Sequence, residues 1–119
     1  MTSLLEAISP TARELLATHK KSELQLLQDR IENFQRTKFP GQPLAGKLRH
    51  LSHEVRELKN EPSDELEWAD VFILFLGSAA EYGFTTSNLI TLAHRKMDIN
   101  DQREWHPPDK HGVCHHKAA

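Results

Sequence analysis

Two pairs of acids stand out in this chain. Glu54 and Glu57 lie three apart in HEVRE, and Glu67 and Asp70 repeat that spacing in EWAD. Three residues is just under one helical turn, so each pair projects from one side of a helix. The break between the pairs, at Asn60 and Pro62, is short enough to make the two helices antiparallel neighbours. Carboxylates converging in this way repel unless cations lie between them. An all-oxygen donor set favours hard divalent ions, Mg²⁺ or Mn²⁺. A single pair of helical glutamates is more often ordinary solvated surface. Here the placement argues otherwise. Glu54 lies between Leu51 and Leu58 beside an apolar stripe, and Asp70 leads directly into Val71, Phe72, Ile73 and Leu74. Glu61, Asp64 and Glu65 have no such placement and read as loop and helix-start charges.

A second group is cationic. Leu89, Leu92, Ala93, Lys96, Asn100 and Arg103 follow one helical stripe that turns from apolar to polar after Ala93. Lys96 and Arg103 suit phosphate oxygens, one as a point charge and the other as a fork. Bases also collect at helix C-termini to suit the dipole. Beside a metal cage, phosphate binding is the better explanation.

The elements that must position these groups are helical. Ser9 before Pro10 is a start signal. Ser22 with Gln25 reads as a capping box, opening a helix with Leu24, Leu27, Ile31 and Phe34 on one stripe. The prolines and Gly41 between Lys38 and Pro43 turn the chain. Leu44, Leu48, Leu51, Val55 and Leu58 mark a second amphipathic helix. A third is expected from about 63 to 82 with Gly83 as its stop, and a fourth from Thr85 or Thr86 towards Trp105. Pro107 and Pro108 end it, leaving residues 107–119 as a loosely held tail. The expected architecture is a single all-α domain over 1–119, a bundle of four main helices. Val71 to Leu76 is apolar on every side, which a chain of 119 residues cannot cover alone. A homo-oligomer is therefore expected, a tetramer built as a dimer of dimers before a lone dimer. The alternative is a monomer in which Leu4 to Leu16 folds back over the run.

Composition narrows the class. Charged residues make up 27% and the formal net charge is -2, which fits neither a polybasic nucleic-acid binder nor a disordered acidic tail. The single cysteine, Cys114, allows no intrachain disulfide, and no basic-then-apolar leader opens the chain. The cytoplasm is the expected location. The apolar run is too short for a bilayer and is preceded by acids, so no membrane partner is expected. His106, His111, Cys114, His115 and His116 lack the separated ligand pairs of a zinc finger. No Walker loop, GxSxG turn or His-Asp dipeptide occurs.

Taken together, HEVRE, EWAD and the later Lys96-x-x-x-Asn100 resemble the MazG-like all-α nucleoside triphosphate pyrophosphohydrolases. Glu54 and Glu57 match the last two acids of that superfamily's EExxE motif, with His53 in place of the first, and Glu67 and Asp70 match its ExxD. KFPGQPLAGKLRHLSHEVREL, DELEWADVFILFL and KMDINDQREWHPP are similar to the dATP/dGTP diphosphohydrolase branch. That branch includes the MazZ enzymes of phages whose DNA carries 2-aminoadenine in place of adenine.

The resemblance implies hydrolysis of a purine deoxynucleoside triphosphate, dGTP foremost, to the monophosphate and pyrophosphate. In such a phage dGMP would feed 2-aminoadenine nucleotide synthesis, with the host cytoplasm as location. Glu54, Glu57, Glu67 and Asp70 would hold two or three Mg²⁺ ions, with Mn²⁺ as a substitute, and Glu57 with Glu54 would carry the catalytic role. Lys96, Asn100 and Arg103 would bind phosphate. Phe34, Gln35 and Phe39, with Trp68 or Trp105, would sandwich the base, although core packing explains Phe34 and Trp68 equally well. His116 falls near a terminal histidine of that branch. The rival reading is a non-catalytic helical phage interaction module with a degenerate metal site.

Overall fold

The computed structural model describes residues 20–118. Among them are four helices: α1 (Glu23–Lys38), α2 (Leu44–Asn60), α3 (Glu65–Tyr82) and α4 (Thr86–Gln102). No strand element accompanies them, so the chain is all-α as expected. Ser9, Pro10 and the segment from Leu4 to Leu16 lie outside the described residues. Two compact units divide the chain, with the boundary between Thr86 and Ser87. Among the described residues no helix is long and apolar enough to cross a membrane.

In the first unit α1 and α2 both pack on α3. Each helix is started and stopped by the residues at its ends. Ser22 Oγ accepts the Gln25 N–H at 3.1 Å, opening α1. Asp64 accepts the Leu66 N–H at 3.0 Å to open α3, two residues later than the spacing predicted. Gly83 closes α3 at φ 112°, a left-handed conformation in which glycine carries no side-chain penalty, and its N–H returns to Ala79 and Ala80.

The capping box is only half made. The Gln25 side chain does not return to its own helix start. Its carbonyl accepts from both the N–H and the hydroxyl of Thr86, each at 2.9 Å. The buried face of α1 also differs from the apolar stripe. Ile31 is buried, but so are Gln28 and Gln35, while Phe34 stays half exposed. Gln28 donates to the carbonyls of Leu76 and Phe84, each at 3.1 Å. Gln35 lies against Gly77, where a Cβ would collide with its amide. The seam between α1 and α3 is thus closed by amides facing a backbone stripped of side chain. A period of apolar residues carries no sign of that.

On α2 the face towards α3 is Leu44, Lys47, Leu51, Glu54 and Leu58, spaced three and four apart, and none of these is exposed. Leu48 and Val55, expected in the stripe, flank it and remain 49% and 47% exposed. On α3, Leu74, Leu76 and Ala79 are buried, whereas Phe72 and Phe75 are each 46% exposed.

In the second unit α4 exposes Ile90, Leu92, Met97 and Ile99. The segment after it is more tied than a loosely held tail would be. His106 N–H bonds His115 O, Lys117 N–H bonds Glu104 O, and Asp109 N–H bonds Val113 O, at 2.8, 2.8 and 2.9 Å. Asp109 Oδ1 also accepts the N–H groups of His111 and Val113, and Oδ2 meets the His115 ring at 2.9 Å. The Val113 N–H, then the His115 ring and the His111 N–H, hold this carboxyl below its ordinary range. Hydrogen bonds to one aspartate order the turn where hydrophobic burial does not.

Gln28 is the most direct test of the amide seam. Gln28→Ala leaves the Phe84 carbonyl without this donor and opens a buried gap, so urea unfolding followed by circular dichroism should show a loss of about 1–3 kcal/mol. Unchanged stability would show that the seam does not depend on it.

Candidate metal centre

The acidic residues meet where α2 and α3 run together. Their connection, residues 61–64, is closed by Asp64 N–H to Glu61 O at 3.1 Å and by the Trp68 indole N–H donating to Pro62 O at 2.9 Å. This tight turn sets the last turns of α2 beside the first turns of α3. Glu54, Glu67 and Asp70 each offer a carboxylate oxygen, all within 4.8 Å of one another. Glu57, exposed on the same side of α2, is near enough to raise the pKa of both Glu54 and Glu67.

Burial, and then the neighbouring carboxylates led by Glu57, push the Glu54 carboxyl up to about 7. Glu67 is raised as well, chiefly by burial, with Glu57, Asp64 and Asp70 adding to it. Oε2 of Glu54 and Oε2 of Glu67 are both buried with no hydrogen-bond partner. Buried carboxylate oxygens normally take donors, and leaving one bare is costly. A cation satisfies both orphans and the mutual repulsion together. The residues therefore fit a hard divalent ion. His50 Nε2, one turn before Glu54, stands 3.6 Å from Glu54 Oε1. Neither His50 nor Lys47 enters the sequence prediction. Both lie on the Glu54 face at four and seven residues' distance, a spacing that was legible.

The aromatic candidates form a small cluster. Phe34 and Phe39 meet edge to face at 5.9 Å, and Phe39 meets His50 at 6.5 Å. Gln35 is buried on Gly77 and lines a cavity of about 380 Å³ with Phe39 and Lys47. Trp68 stays 58% exposed, its N–H already satisfied at Pro62. The remaining predicted residues belong to the second unit. Lys96 is exposed on α4, Asn100 Oδ1 is buried without a partner, and the Asn100 carbonyl accepts from Arg103 N–H and from Trp105 Nε1 at 3.2 and 3.1 Å. The Trp105 ring meets His116 edge to face at 5.9 Å. Arg103, His116 and Lys117 line a cavity of about 470 Å³.

With this geometry in place, comparison with known families finds a match to the dATP/dGTP pyrophosphohydrolase model over residues 27–118. The chain belongs to the dATP/dGTP pyrophosphohydrolase family. Among solved structures it is similar to the cyanophage S-2L MazG-like pyrophosphohydrolase bound to dGDP and three catalytic Mn²⁺ ions per active site. The two share 28% identity and a TM-score of 0.70, over 82% of this chain and 100% of the other. No curated protein matches. The chain is thus a nucleoside triphosphate pyrophosphohydrolase with the MazG-like all-α fold, and the non-catalytic module gives way to that membership.

The raised Glu54 pKa has a measurable consequence in the metal-free protein. The fold binds this proton more tightly than the unfolded chain, where the ordinary value is 4.5. Its contribution to stability is full below pH 4.5 and is lost as pH rises through about 7. In excess chelator, Glu54→Gln should melt above the natural protein at pH 8, and the advantage should vanish by about pH 5. Equal melting temperatures at pH 8 would remove the repulsion on which the cage rests.

Proposed function

We propose that the protein converts dGTP, and dATP less readily, to the nucleoside monophosphate and pyrophosphate. The observation that carries this is the pair of orphaned, half-buried carboxylates at the α2–α3 junction, in a chain of this family. Glu54, Glu57, Glu67 and Asp70 hold two or three Mg²⁺ ions, with Mn²⁺ as a substitute. When bound, the ions neutralise the triphosphate and ease charge build-up as the bond to the leaving group breaks. Water attacks the α-phosphorus and the bond from that phosphorus to its bridging oxygen breaks, releasing pyrophosphate. Glu57, exposed on α2, orients that water and takes its proton, supported by Glu54. Lys96, Asn100 and Arg103 bind phosphate, and Phe34, Gln35, Phe39 and Trp105 form the base and sugar contacts. The likeness to a cyanophage enzyme supports a phage setting in a host cytoplasm, with dGMP passing to 2-aminoadenine nucleotide synthesis.

The working form is a homo-oligomer, a tetramer assembled as a dimer of dimers. Phe72 and Phe75 on α3, Leu48 and Val55 on α2, and Ile90 and Met97 on α4 leave large apolar areas bare in the single chain.

Two experiments test these assignments. Glu57→Gln and Asp70→Asn should each lower turnover of dGTP at least about a hundredfold with the helical circular dichroism unchanged, and chelator should do the same to the natural protein. Full activity under any of these conditions would refute the cage, and faster hydrolysis of dCTP than of dGTP would refute the purine assignment. Light scattering at low micromolar concentration should give a multiple of the chain mass, and Phe75→Glu should reduce it. A natural protein of single-chain mass would refute the assembly.

A further inference from the structure

Residues 104–117 hold an ordered shape without a hydrophobic interior. All of them are exposed, and even Trp105 and Val113 are 43% and 48% open to water. Two arms are joined by backbone bonds, His106 N–H to His115 O and Lys117 N–H to Glu104 O, each at 2.8 Å. This pairing sets Trp105 opposite His116. A two-stranded hairpin on its own is marginal in water. Pro107 and Pro108 weaken this one further, because they bring no N–H to the arm that leads into the turn.

Asp109 supplies what the prolines lack. Its N–H donates to Val113 O and its carbonyl accepts from Gly112 N–H, both at 2.9 Å. One carboxylate oxygen accepts the N–H groups of His111 and Val113 at 2.8 and 3.0 Å, and the other meets the His115 ring at 2.9 Å. His115 is also the residue whose carbonyl takes the His106 N–H. The carboxylate therefore grips both the turn and the start of the returning arm. Gly112 closes the turn at φ 79°, a conformation that a side chain would strain.

The hairpin brings its far arm to residues already given a role. Trp105 Nε1 donates to Asn100 O at 3.1 Å at the end of α4, and its ring meets His116 at 5.9 Å. His116 and Lys117, from the returning arm, line the cavity of about 470 Å³ together with Arg103 and Glu104. Three basic side chains on one cavity suit a phosphate-bearing ligand. We infer that Asp109 is a positioning residue for nucleotide binding, holding the hairpin in which His116 and Lys117 complete the wall begun by Arg103 and Trp105. It touches no nucleotide itself. The inference rests on the nucleotide contacts proposed above for Arg103 and Trp105.

Asp109→Ala removes the grip. Amide hydrogen exchange over residues 104–117 should quicken while that of α1, α2 and α3 stays unchanged. With Mn²⁺ present, KM for dGTP and the calorimetric Kd of dGMP should both rise by roughly fivefold to a hundredfold, the range that loss of one base-stacking contact spans. The fall in kcat should be smaller, and the affinity for Mn²⁺ alone should not change. Asp109→Asn keeps an acceptor for His111 and Val113 and should stay closer to the natural protein than to Asp109→Ala. Gly112→Ala strains the same turn without touching the carboxylate and should shift KM and Kd in the same direction. If Asp109→Ala does not fold, Gly112→Ala decides on the same readouts. Faster exchange with unchanged KM and Kd would make the hairpin purely structural and overturn the inference, as would unchanged exchange. Trp105→Ala, measured in parallel, separates the two levels. Unchanged dGMP affinity in Trp105→Ala refutes the contact on which the inference rests, whereas an impaired Trp105→Ala beside an unimpaired Asp109→Ala overturns the positioning role alone.

Discussion

Carboxylates packed into a half-buried niche raise one another's energy, and the rest of this structure is arranged around holding them there. The short turn at residues 61–64 keeps Glu54 and Glu67 from spreading apart. Burial prevents water from reaching Oε2 of either residue. The metal-free chain responds by keeping a proton on Glu54 to unusually high pH. Such a site is poor for the stability of the empty fold and well suited to a divalent ion, which reverses each of these costs at once.

A scaffold must resist that repulsion, and here amides contribute as much as hydrocarbon. Four apolar residues, Ile31, Leu74, Leu76 and Ala79, make up the buried core among the described residues, a small set for a fold of this size. Gln28 bridges α1 to the carbonyl of Leu76 on α3 and to Phe84 just beyond it, and Gln25 reaches Thr86. These bonds from part-buried amides to fixed positions on α3 and α4 give a geometric specificity that a few leucines cannot supply. Gly77 is the counterpart of this arrangement, because only a missing side chain lets the Gln35 amide lie against the helix.

The large apolar side chains left uncovered follow from the same economy. A short chain that commits much of its interior to charge and amide has little hydrophobic surface buried within itself. Phe72, Phe75, Ile90 and Met97 remain outside. Phe72 and Phe75 place part of that uncovered surface on the acidic helix α3.

Local chemistry in the sequence was enough to mark the helices and the two acid pairs, of which the fold brings Glu54, Glu67 and Asp70 together. Caps at Ser22 and Gly83, the prolines around Gly41 and the three-residue spacing of the acids depend on neighbours along the chain, and the fold reproduces them. Only tertiary structure decided which side of each helix is inside. Of the α2 stripe Leu44, Leu48, Leu51, Val55 and Leu58, Leu48 and Val55 stay half exposed, while Lys47 and Glu54 join the other three on the less exposed face. On α1 two glutamines took buried places beside Ile31 while Phe34 stayed outside. The physical reason is that hydropathy scores a residue by its own solvation. A buried lysine or glutamine is tolerated because of what lies opposite it, whether a bare carbonyl, a glycine or an open cavity. The ordered turn around Asp109 has the same origin, since its hydrogen bonds reach back to groups that carry no hydrophobic pattern.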